Sequence, residues 1–352
     1  MHIDELLNIM VKNGASDLHL KVGSPPLFRI HGELLPLDSP ALTTEDVRSL
    51  VGQMANDEQK RRFDKARELD LAYNLEGVAR FRVNVFLQRM NVGAVIRLIP
   101  LNIKLIDDLG FPPVLKTLAL KPRGLVLVTG PTGCGKSTTL AAMTEHINNN
   151  RRCHIMTIED PIEFVHQDKK SVINQRELGS DTLTYVEALK HVLRQDPDVI
   201  LIGEMRDFDT IALAITAAET GHLVFSTLHT VGSSQTIDRI IDAYPPHQQQ
   251  QIRNQLSTVL EGVVSQVLLP TADGKGRVAA LDIMVSTAAV RNLIRDNKTY
   301  QISSVIQTGA AQGMQTLDAS LKILYQKGLI TYEEALTKCT NPEAFKKLAT
   351  HG

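Results

Sequence analysis

The sequence has no tryptophan, and aromatic residues make up only 4% of its 352 residues. Proteins that bind single-stranded nucleic acid stack the bases on aromatic side chains, so few stacking platforms are available here. An excess of basic residues is also missing, because 38 basic and 39 acidic residues give a formal net charge of −1. A polyanion is recognised by a basic surface, and we therefore expect no nucleic-acid partner.

Cysteine is scarce as well: Cys134, Cys153 and Cys339 lie far apart, and the sequence has no C-x-x-C pair. This spacing excludes a tetracysteine zinc site and offers no disulfide framework, so we expect no zinc. Long apolar runs are missing too. The run Ile211–Ala218, interrupted only by Thr216, is much shorter than the ~20 residues that cross a bilayer. We therefore expect no transmembrane segment.

The N-terminus carries Asp4 and Glu5 before any apolar stretch, so we expect no secretory signal and a cytoplasmic location. At about 150 residues per domain, the length indicates about two domains. The hydrophobic fraction of 43% is sufficient for two cores. The fold class that we predict is α/β in both parts of the chain.

Residues 1–98 are expected to form a mixed α/β domain. Apolar and polar residues alternate over Arg80–Leu87, and Gly93–Ile99 follows after a turn, which predicts an antiparallel hairpin. The other elements predicted here are a helix over Asp4–Val11, short strands at Asp17–Lys21 and Pro26–Ile30 with a turn at His31–Gly32, and one helix over Thr44–Lys65.

We expect residues 99–112 to be a linker and residues 113–352 to form the second domain, with a helical C-terminal region. From Leu125 onward, short apolar strands alternate with helices, a pattern typical of a parallel sheet covered on both faces. After Pro245 the chain is predicted to be mostly helical. The predicted strands are Leu125–Thr129, His154–Ile158, Val199–Ile202 and Leu223–Thr227, and the predicted helices are Lys136–Asn148, Thr184–Arg194 and Asp209–Thr220.

The segment Gly130–Ser137, GPTGCGKS, fits the phosphate-loop pattern G-x-x-x-x-G-K-[ST] between a predicted strand and a predicted helix. Its glycines let main-chain N–H groups point at phosphates, and the helix N-terminus adds its positive end. Lys136 is expected to reach the β- and γ-phosphates, and the Ser137 hydroxyl to bind Mg²⁺. The alternative is a glycine-rich turn that contains a lysine by chance. The nucleotide contacts that we predict come from Pro131, Thr132, Gly133, Cys134, Gly135, Lys136, Ser137 and Thr138.

Carboxylates follow two other predicted strands. Glu204 comes after the apolar strand Val199–Ile202, where such proteins usually have aspartate, and we expect its longer side chain to contact Mg²⁺ through a water. The turn after His154–Ile158 contains Glu159, Asp160 and Glu163. We predict that Glu163 is the base that polarises the attacking water, with Glu159 and Asp160 supporting it. The alternatives are a surface glutamate and a solvated acidic turn.

Two histidines flank the predicted strand Leu223–Thr227. His229 lies just past the strand, where its side chain can sense the γ-phosphate, and we predict a functional role for it. His222 lies before the strand, at the opposite edge of the sheet, and is harder to place in the same active site of one subunit. Both remain candidate catalytic residues, with a hydrogen-bonded structural histidine as the alternative.

Together these motifs resemble the secretion ATPase superfamily of RecA-like hexameric motors. They are the phosphate loop, the acidic box at Thr157–Phe164, Gly203-Glu204 and the histidine box at Thr220–Thr230. The resemblance includes Ala15–Leu20 near the start. The octet Ala289–Asp296 is similar to the motif AIRNLIRE, which marks the branch that retracts type IV pili, and differs from it at two positions, Val290 and Asp296.

The resemblance implies a PAS-like N-terminal domain, a RecA-like P-loop NTPase domain and a homohexamer that hydrolyses ATP between its domains. It also implies that arginines from the N-terminal domain approach the phosphates, and Arg82 and Arg97 fit this role. A strand arginine on the solvated face of a sheet is the alternative. The octet has two interpretations: an effector element needed for retraction, or a packed helix with two solvated arginines, Arg291 and Arg295.

The function implied is a motor that powers type IV pilus retraction, and so twitching motility, by acting on a platform protein of the inner membrane. We expect it to dock at this membrane from the cytoplasmic side, at the pilus base. The alternatives are an ATPase for pilus assembly or type II secretion, and an accessory retraction ATPase. From other classes, a nucleic-acid translocase and a regulatory protein that binds nucleotide without turnover are less well supported.

Overall fold

A computed structural model describes residues 2–30, 32–99, 103–343 and 345–346 of the protein. Among these residues we find no helix with both the length and the apolar character that a membrane crossing requires. The chain divides into two compact units, residues 1–102 with 163–165, and residues 103–162 with 166–352.

The α-helices of the described residues are α1 (Ile3–Lys12), α2 (Thr44–Met54), α3 (Asp57–Ala66), α4 (Val114–Ala119), α5 (Lys136–Asn150), α6 (Tyr185–Val192), α7 (Phe208–Glu219), α8 (Ser233–Asp242), α9 (Gln249–Val259), α10 (Ala288–Arg295), α11 (Ile302–Thr308), α12 (Leu317–Gln326) and α13 (Tyr332–Lys338). The strands are β1 (Asp17–Leu20), β2 (Leu27–Ile30), β3 (Glu33–Pro36), β4 (Glu68–Leu75), β5 (Ala79–Gln88), β6 (Asn91–Ile99), β7 (Gly124–Thr129), β8 (His154–Glu159), β9 (Val172–Glu177), β10 (Val199–Ile202), β11 (Leu223–Leu228), β12 (Leu260–Pro270) and β13 (Arg277–Val285).

The first unit is built on an antiparallel sheet with the strand order β3-β2-β1-β6-β5-β4. The alternation predicted the hairpin β5–β6 correctly: Phe81, Val83 and Val85 are fully buried and the residues between them are not. These side chains pack with helix residues such as Leu7 and Leu50 in one core. The predicted turn residue His31 lies outside the described residues.

The single helix predicted over Thr44–Lys65 is wrong, because the chain forms two helices there. Ala55 is extended between them, and the Asn56 side chain accepts a hydrogen bond from the Gln59 main chain, which starts α3. A side-chain cap of this kind satisfies an N–H group that has no partner within the helix, so Asn56 favours a new helix over the continuation of α2. Thr43 caps α2, which starts at Thr44 as predicted.

The second unit contains a sheet in the order β13-β12-β7-β11-β10-β8-β9, in which all neighbours are parallel except β12 and β13. Successive residues of β7 belong to different cores, since Leu125 and Leu127 pack in one and Val126 and Val128 in the other. A sheet with apolar side chains on both faces must be covered on both, as the sequence predicted.

Helices make up most of the described chain after Pro245, as predicted, but the prediction missed β12 and β13, which form a long antiparallel hairpin at the edge of this sheet. Residues Gly262–Pro270 pair with β13, and β12 also runs parallel to β7. Helices α10 to α13 follow this hairpin. The parallel strands β7, β11, β10, β8 and β12 therefore bring their carboxyl ends to one edge of the sheet.

Candidate nucleotide-binding site

The phosphate loop connects β7 to α5 at this edge. Gly135, in a left-handed conformation (φ 92°), precedes Lys136, and no side chain of the described residues caps the N-terminus of α5. The first N–H groups of a helix have no partner within it, so this end of α5 presents donors and the positive end of the helix dipole. Pro131, Thr132 and Gly133 of the loop are exposed. The loop therefore offers hydrogen-bond donors at a place that an anion can reach.

The start of the loop tolerates no side chain. Gly130 has φ 139°, and a Cβ placed there would lie 2.3 Å from the main-chain oxygen of Gln266 and 2.7 Å from Sγ of Cys134. Cys134 is therefore a buried part of the loop itself, and burial raises the pKa of its thiol. A protonated, buried thiol of this kind packs rather than reacts.

Lys136 lies across the loop that it follows. Its ammonium donates to the main-chain oxygen of Gly130 at 2.8 Å and to that of Pro131 at 3.1 Å. Phosphate oxygens are charged and accept stronger hydrogen bonds than neutral carbonyls do. The side chain is thus already held at the mouth of the loop, where a phosphate would compete for it.

Glu204 follows β10 and has a partner on each carboxylate oxygen. Nε2 of His229, just past β11, lies 2.8 Å from Oε1, and Nε of Arg206 lies 2.8 Å from Oε2. The neighbouring strand ends thus bring together Glu204 and His229, which the sequence singled out independently. The Glu204 side chain is largely buried, with 18% exposed, whereas 47% of His229 and 65% of Arg206 is exposed.

The acidic box lies at the end of β8, and its carboxylates differ in environment. Oε1 of Glu159 accepts hydrogen bonds from Oγ1 of Thr157 at 2.7 Å and from Nε2 of Gln175 at 3.1 Å. Asp160 is exposed and joined to Pro161 by a cis peptide bond. Glu163 is exposed, and residues 163–165 group with the first unit rather than with the phosphate loop. Its role as the base stays a prediction.

His222 lies at the amino end of β11, opposite to the phosphate loop. Its Nδ1 lies 2.9 Å from the main-chain oxygen of Ala217 and 3.1 Å from Oγ1 of Thr220, at the C-terminal end of α7. The six residues of β11 separate it from His229, so that the two histidines are about 23 Å apart at ~3.3 Å per residue. Within this unit His222 therefore lies away from Glu204, and its catalytic role stays a prediction.

Arg82 and Arg97 are cross-strand neighbours on β5 and β6 of the first unit. Nε of Arg97 lies 2.7 Å from Oδ1 of Asp17, which is nearly buried, while Arg82 lies 3.9 Å from Asp70. Burial raises the pKa of Asp17, but hydrogen bonds from Arg97 and Ser16 outweigh it and hold the pKa below its usual value. Both guanidinium groups remain substantially exposed, at 48% for Arg82 and 69% for Arg97.

The sequence analysis missed three residues near the carboxyl ends of the strands in the second unit. They are Arg206, Tyr185 and Gln266. Arg206 stands two positions after Glu204, and this proximity was the available signal. Tyr185 is largely buried, and its hydroxyl would lie 2.9 Å from a Cβ on Gly203. Burial raises its pKa, and the carboxylates of Asp160, Glu204 and Glu159 raise it further.

The family described as type II/IV secretion system protein matches residues 1–337. The chain belongs to this family. It is 52% identical to the type IV pilus retraction ATPase PilT of Pseudomonas aeruginosa over 98% of this chain and 100% of that protein. It is also 52% identical to a twitching motility protein of Neisseria gonorrhoeae over 91% of this chain and 85% of that protein.

The crystal structure of the pilus retraction motor PilT with bound ADP has the same fold. It superimposes with a TM-score of 0.92 at 45% identity, covering 99% of both chains. The resemblance to the secretion ATPases and the α/β fold class with two domains are therefore confirmed. The roles of individual site residues stay predictions.

Proposed function

We propose that this chain is an ATPase motor that powers type IV pilus retraction and thereby twitching motility. The observation that carries the proposal is the 52% identity to a retraction ATPase over essentially the whole of both chains. The phosphate loop and the Glu204–His229 contact at one sheet edge support hydrolysis of a nucleotide. Because this sequence identity extends over both units, it supports the function of the whole motor and not only the fold.

The main-chain N–H groups from Gly133 to Thr138 hold the phosphates of ATP, and Lys136 binds the β- and γ-phosphates. Glu163 polarises the attacking water, supported by Glu159 and Asp160, and His229 orients Glu204 through their contact. Arg82 and Arg97 supply positive charge to the phosphates, and His222 is the least supported candidate of this set. The functional domains are residues 1–98 and 113–352, joined by the linker 99–112.

The residues present fit Mg²⁺. Ser137 stands in the first turn of α5, and Glu204 offers a carboxylate held in place by two partners. No group of three or more acidic, histidine or cysteine side chains suited to a metal occurs within the described residues. Mg²⁺ bound to a nucleotide needs only one or two protein ligands besides phosphate oxygens and waters. When bound, Mg²⁺ neutralises charge on the phosphates, with Ser137 as a ligand and Glu204 holding a bound water.

We further propose a homohexamer that works in the cytoplasm, docked at the inner membrane at the pilus base. Its partner there is the platform protein of the pilus machine, which the motor turns so that pilins return to the membrane. Hydrolysis in successive subunits shifts the N-terminal domains against the C-terminal domains.

The proposed ATPase activity is tested by measuring both ATP binding and ATP hydrolysis in site variants. Glu204→Ala and Glu163→Gln should each bind ATP within a few-fold of the parent and hydrolyse it about 10²-fold or more slowly. Glu219→Gln is a matched control, because this exposed carboxylate contacts Gln255 at the C-terminal end of α7. Hydrolysis at the parent rate in either site variant would remove that residue from the mechanism.

A deletion strain tests the direction of movement. Abundant pili without twitching motility are expected for the loss of a retraction motor. Cells without pili would indicate the alternative, an assembly ATPase of the same family. A strain that twitches normally would indicate an accessory ATPase.

A further inference from the structure

Gln266 is a buried polar residue on β12, with 1% of its surface exposed, whose side-chain amide contacts the phosphate loop at one end and helix α5 at the other. Nε2 donates a hydrogen bond to the main-chain oxygen of Cys134 at 2.6 Å. Oε1 accepts one from Oγ1 of Thr139 at 2.8 Å. None of the roles proposed above for the nucleotide site involves Gln266.

The position of Gln266 follows from the sheet. Ser265 pairs with Thr129, the last residue of β7, so Gln266 lies beside Gly130, the first residue of the loop. Its main-chain oxygen fills the space in which a side chain on Gly130 would stand. The residue therefore contacts the beginning of the loop with its main chain and the end of the loop with its side chain.

The contact with Cys134 determines which way the next N–H group points. The carbonyl of Cys134 and the N–H of Gly135 belong to one planar trans peptide unit, in which they point in opposite directions. A carbonyl drawn toward the buried Gln266 therefore turns the Gly135 N–H away from the protein interior. A phosphate loop requires this orientation because its N–H groups are the ligands of the anion.

We propose that Gln266 is a positioning residue that holds the phosphate loop in its anion-binding conformation. The inference rests on the proposed function, since it assigns a role within the nucleotide site. Glutamine suits the task because one planar group supplies both a donor for Cys134 and an acceptor for Thr139. Glutamate lacks the donor and methionine lacks both, although each is similar in size.

The test compares ADP affinity by calorimetry in the parent, Gln266→Met and Gln266→Glu. We expect both variants to bind ADP about 10-fold or more weakly, the ratio that corresponds to one buried main-chain group left unpaired. Steady-state kinetics should show a raised KM for ATP with kcat within a few-fold of the parent. General loss of folded protein would lower the active fraction and leave KM unchanged.

Gln315→Met is the matched control. Gln315 also donates its side-chain amide to a main-chain oxygen, that of Leu281 on β13, at 3.1 Å. We expect this variant to lower thermal stability to a similar extent and to bind ADP like the parent. An equal loss of affinity in Gln315→Met would show that the effect is not specific to the loop and would overturn the inference.

If neither Gln266 variant folds, Thr139→Val serves in its place, because it removes the hydroxyl that Gln266 accepts from and keeps the shape of the side chain. We expect it to weaken ADP binding about 3-fold. Parent-like affinity in the folded Gln266 variants, or in Thr139→Val where they do not fold, would overturn the inference and leave the proposed function intact. A parent protein that does not bind ADP would refute the proposed function, and the inference with it.

Discussion

Replacement of Glu145 by glutamine should reduce the stability of the unit that contains the phosphate loop. Glu145 lies on α5, and only 7% of its side chain is exposed. Its carboxylate contacts Nδ1 of His166 at 3.2 Å, Nζ of Lys169 and Nδ2 of Asn148 at 3.3 Å. The helix that starts at the phosphate loop thus holds the segment that follows the acidic box.

The size of the effect follows from the pKa of Glu145. Burial raises this pKa, but the hydrogen bonds from His166, Lys169 and Asn148 outweigh burial and lower it from 4.5 to about 2. At 1.36 kcal/mol per unit, the charged form contributes about 3 kcal/mol to the free energy of unfolding. A lowered pKa contributes stability that is complete above pH 4.5 and is lost as the pH falls toward about 2.

The assay is urea unfolding followed by circular dichroism at a series of pH values. We expect Glu145→Gln to be about 3 kcal/mol less stable than the parent at pH 7, since glutamine mimics the protonated carboxyl. The difference should shrink between pH 4.5 and pH 2. Glu187→Gln, on the exposed side of α6, is the control and should match the parent. A difference that is absent at pH 7, or independent of pH, would refute the reasoning.

Two further predictions concern the phosphate loop and the octet. Lys136→Ala should weaken ATP binding itself, because it removes the ammonium held at the mouth of the loop, and unchanged affinity in calorimetry would contradict its phosphate role. Arg295→Ala removes an exposed side chain that contacts Asn292, so we expect unchanged melting temperature and ATPase activity but no twitching in cells. Normal twitching would contradict the effector interpretation of the octet.

Local patterns in the sequence predicted much of the second unit. The strand at Val199–Ile202 was predicted with its observed ends, and the helix after the phosphate loop starts at Lys136 as expected. Apolar runs and glycine spacing are local signals, so they need no knowledge of the rest of the fold. The same locality explains why Glu204 and His229 were identified as candidates before their contact was known.

The hairpin β12–β13 could not be predicted in this way. Leu260–Pro270 mixes short apolar runs with polar residues, a pattern that periodicity alone does not assign to a strand rather than to a helix. Its strand conformation depends on pairing with β7, more than a hundred residues earlier in the chain. Gln266 was missed for the same reason, because its partner Cys134 is 132 positions away. The available signal was the polar pair Ser265-Gln266 between two short apolar runs.

For the octet Ala289–Asp296, the interpretation as a packed helix was correct in part, but it gave the wrong environment for Arg291. Val290 and Ile294 are buried, as in a packed helix, but Arg291 is not a solvated arginine, because only 29% of its side chain is exposed. It donates to the main-chain oxygens of Ser257 and Thr258, at the C-terminal end of α9, and to the carboxylate of Glu261 at 2.8 Å. A guanidinium can satisfy several acceptors at once, so it closes the end of a helix whose last carbonyls lack partners.

The contacts of Arg291 distinguish a buried half of the octet, which contains Arg291 and Ile294, from an exposed half. Glu261 also accepts from Lys121 at 2.9 Å, just before β7, so the buried half of α10 is joined to the sheet that carries the phosphate loop. Truncation of Ile294 in this half would cost about 2–5 kcal/mol and would test folding rather than retraction. Within the octet, a partner can contact the exposed residues without unfolding the helix, and these are Ala289, Asn292, Arg295 and Asp296. Any effector role of the motif must therefore act through that half.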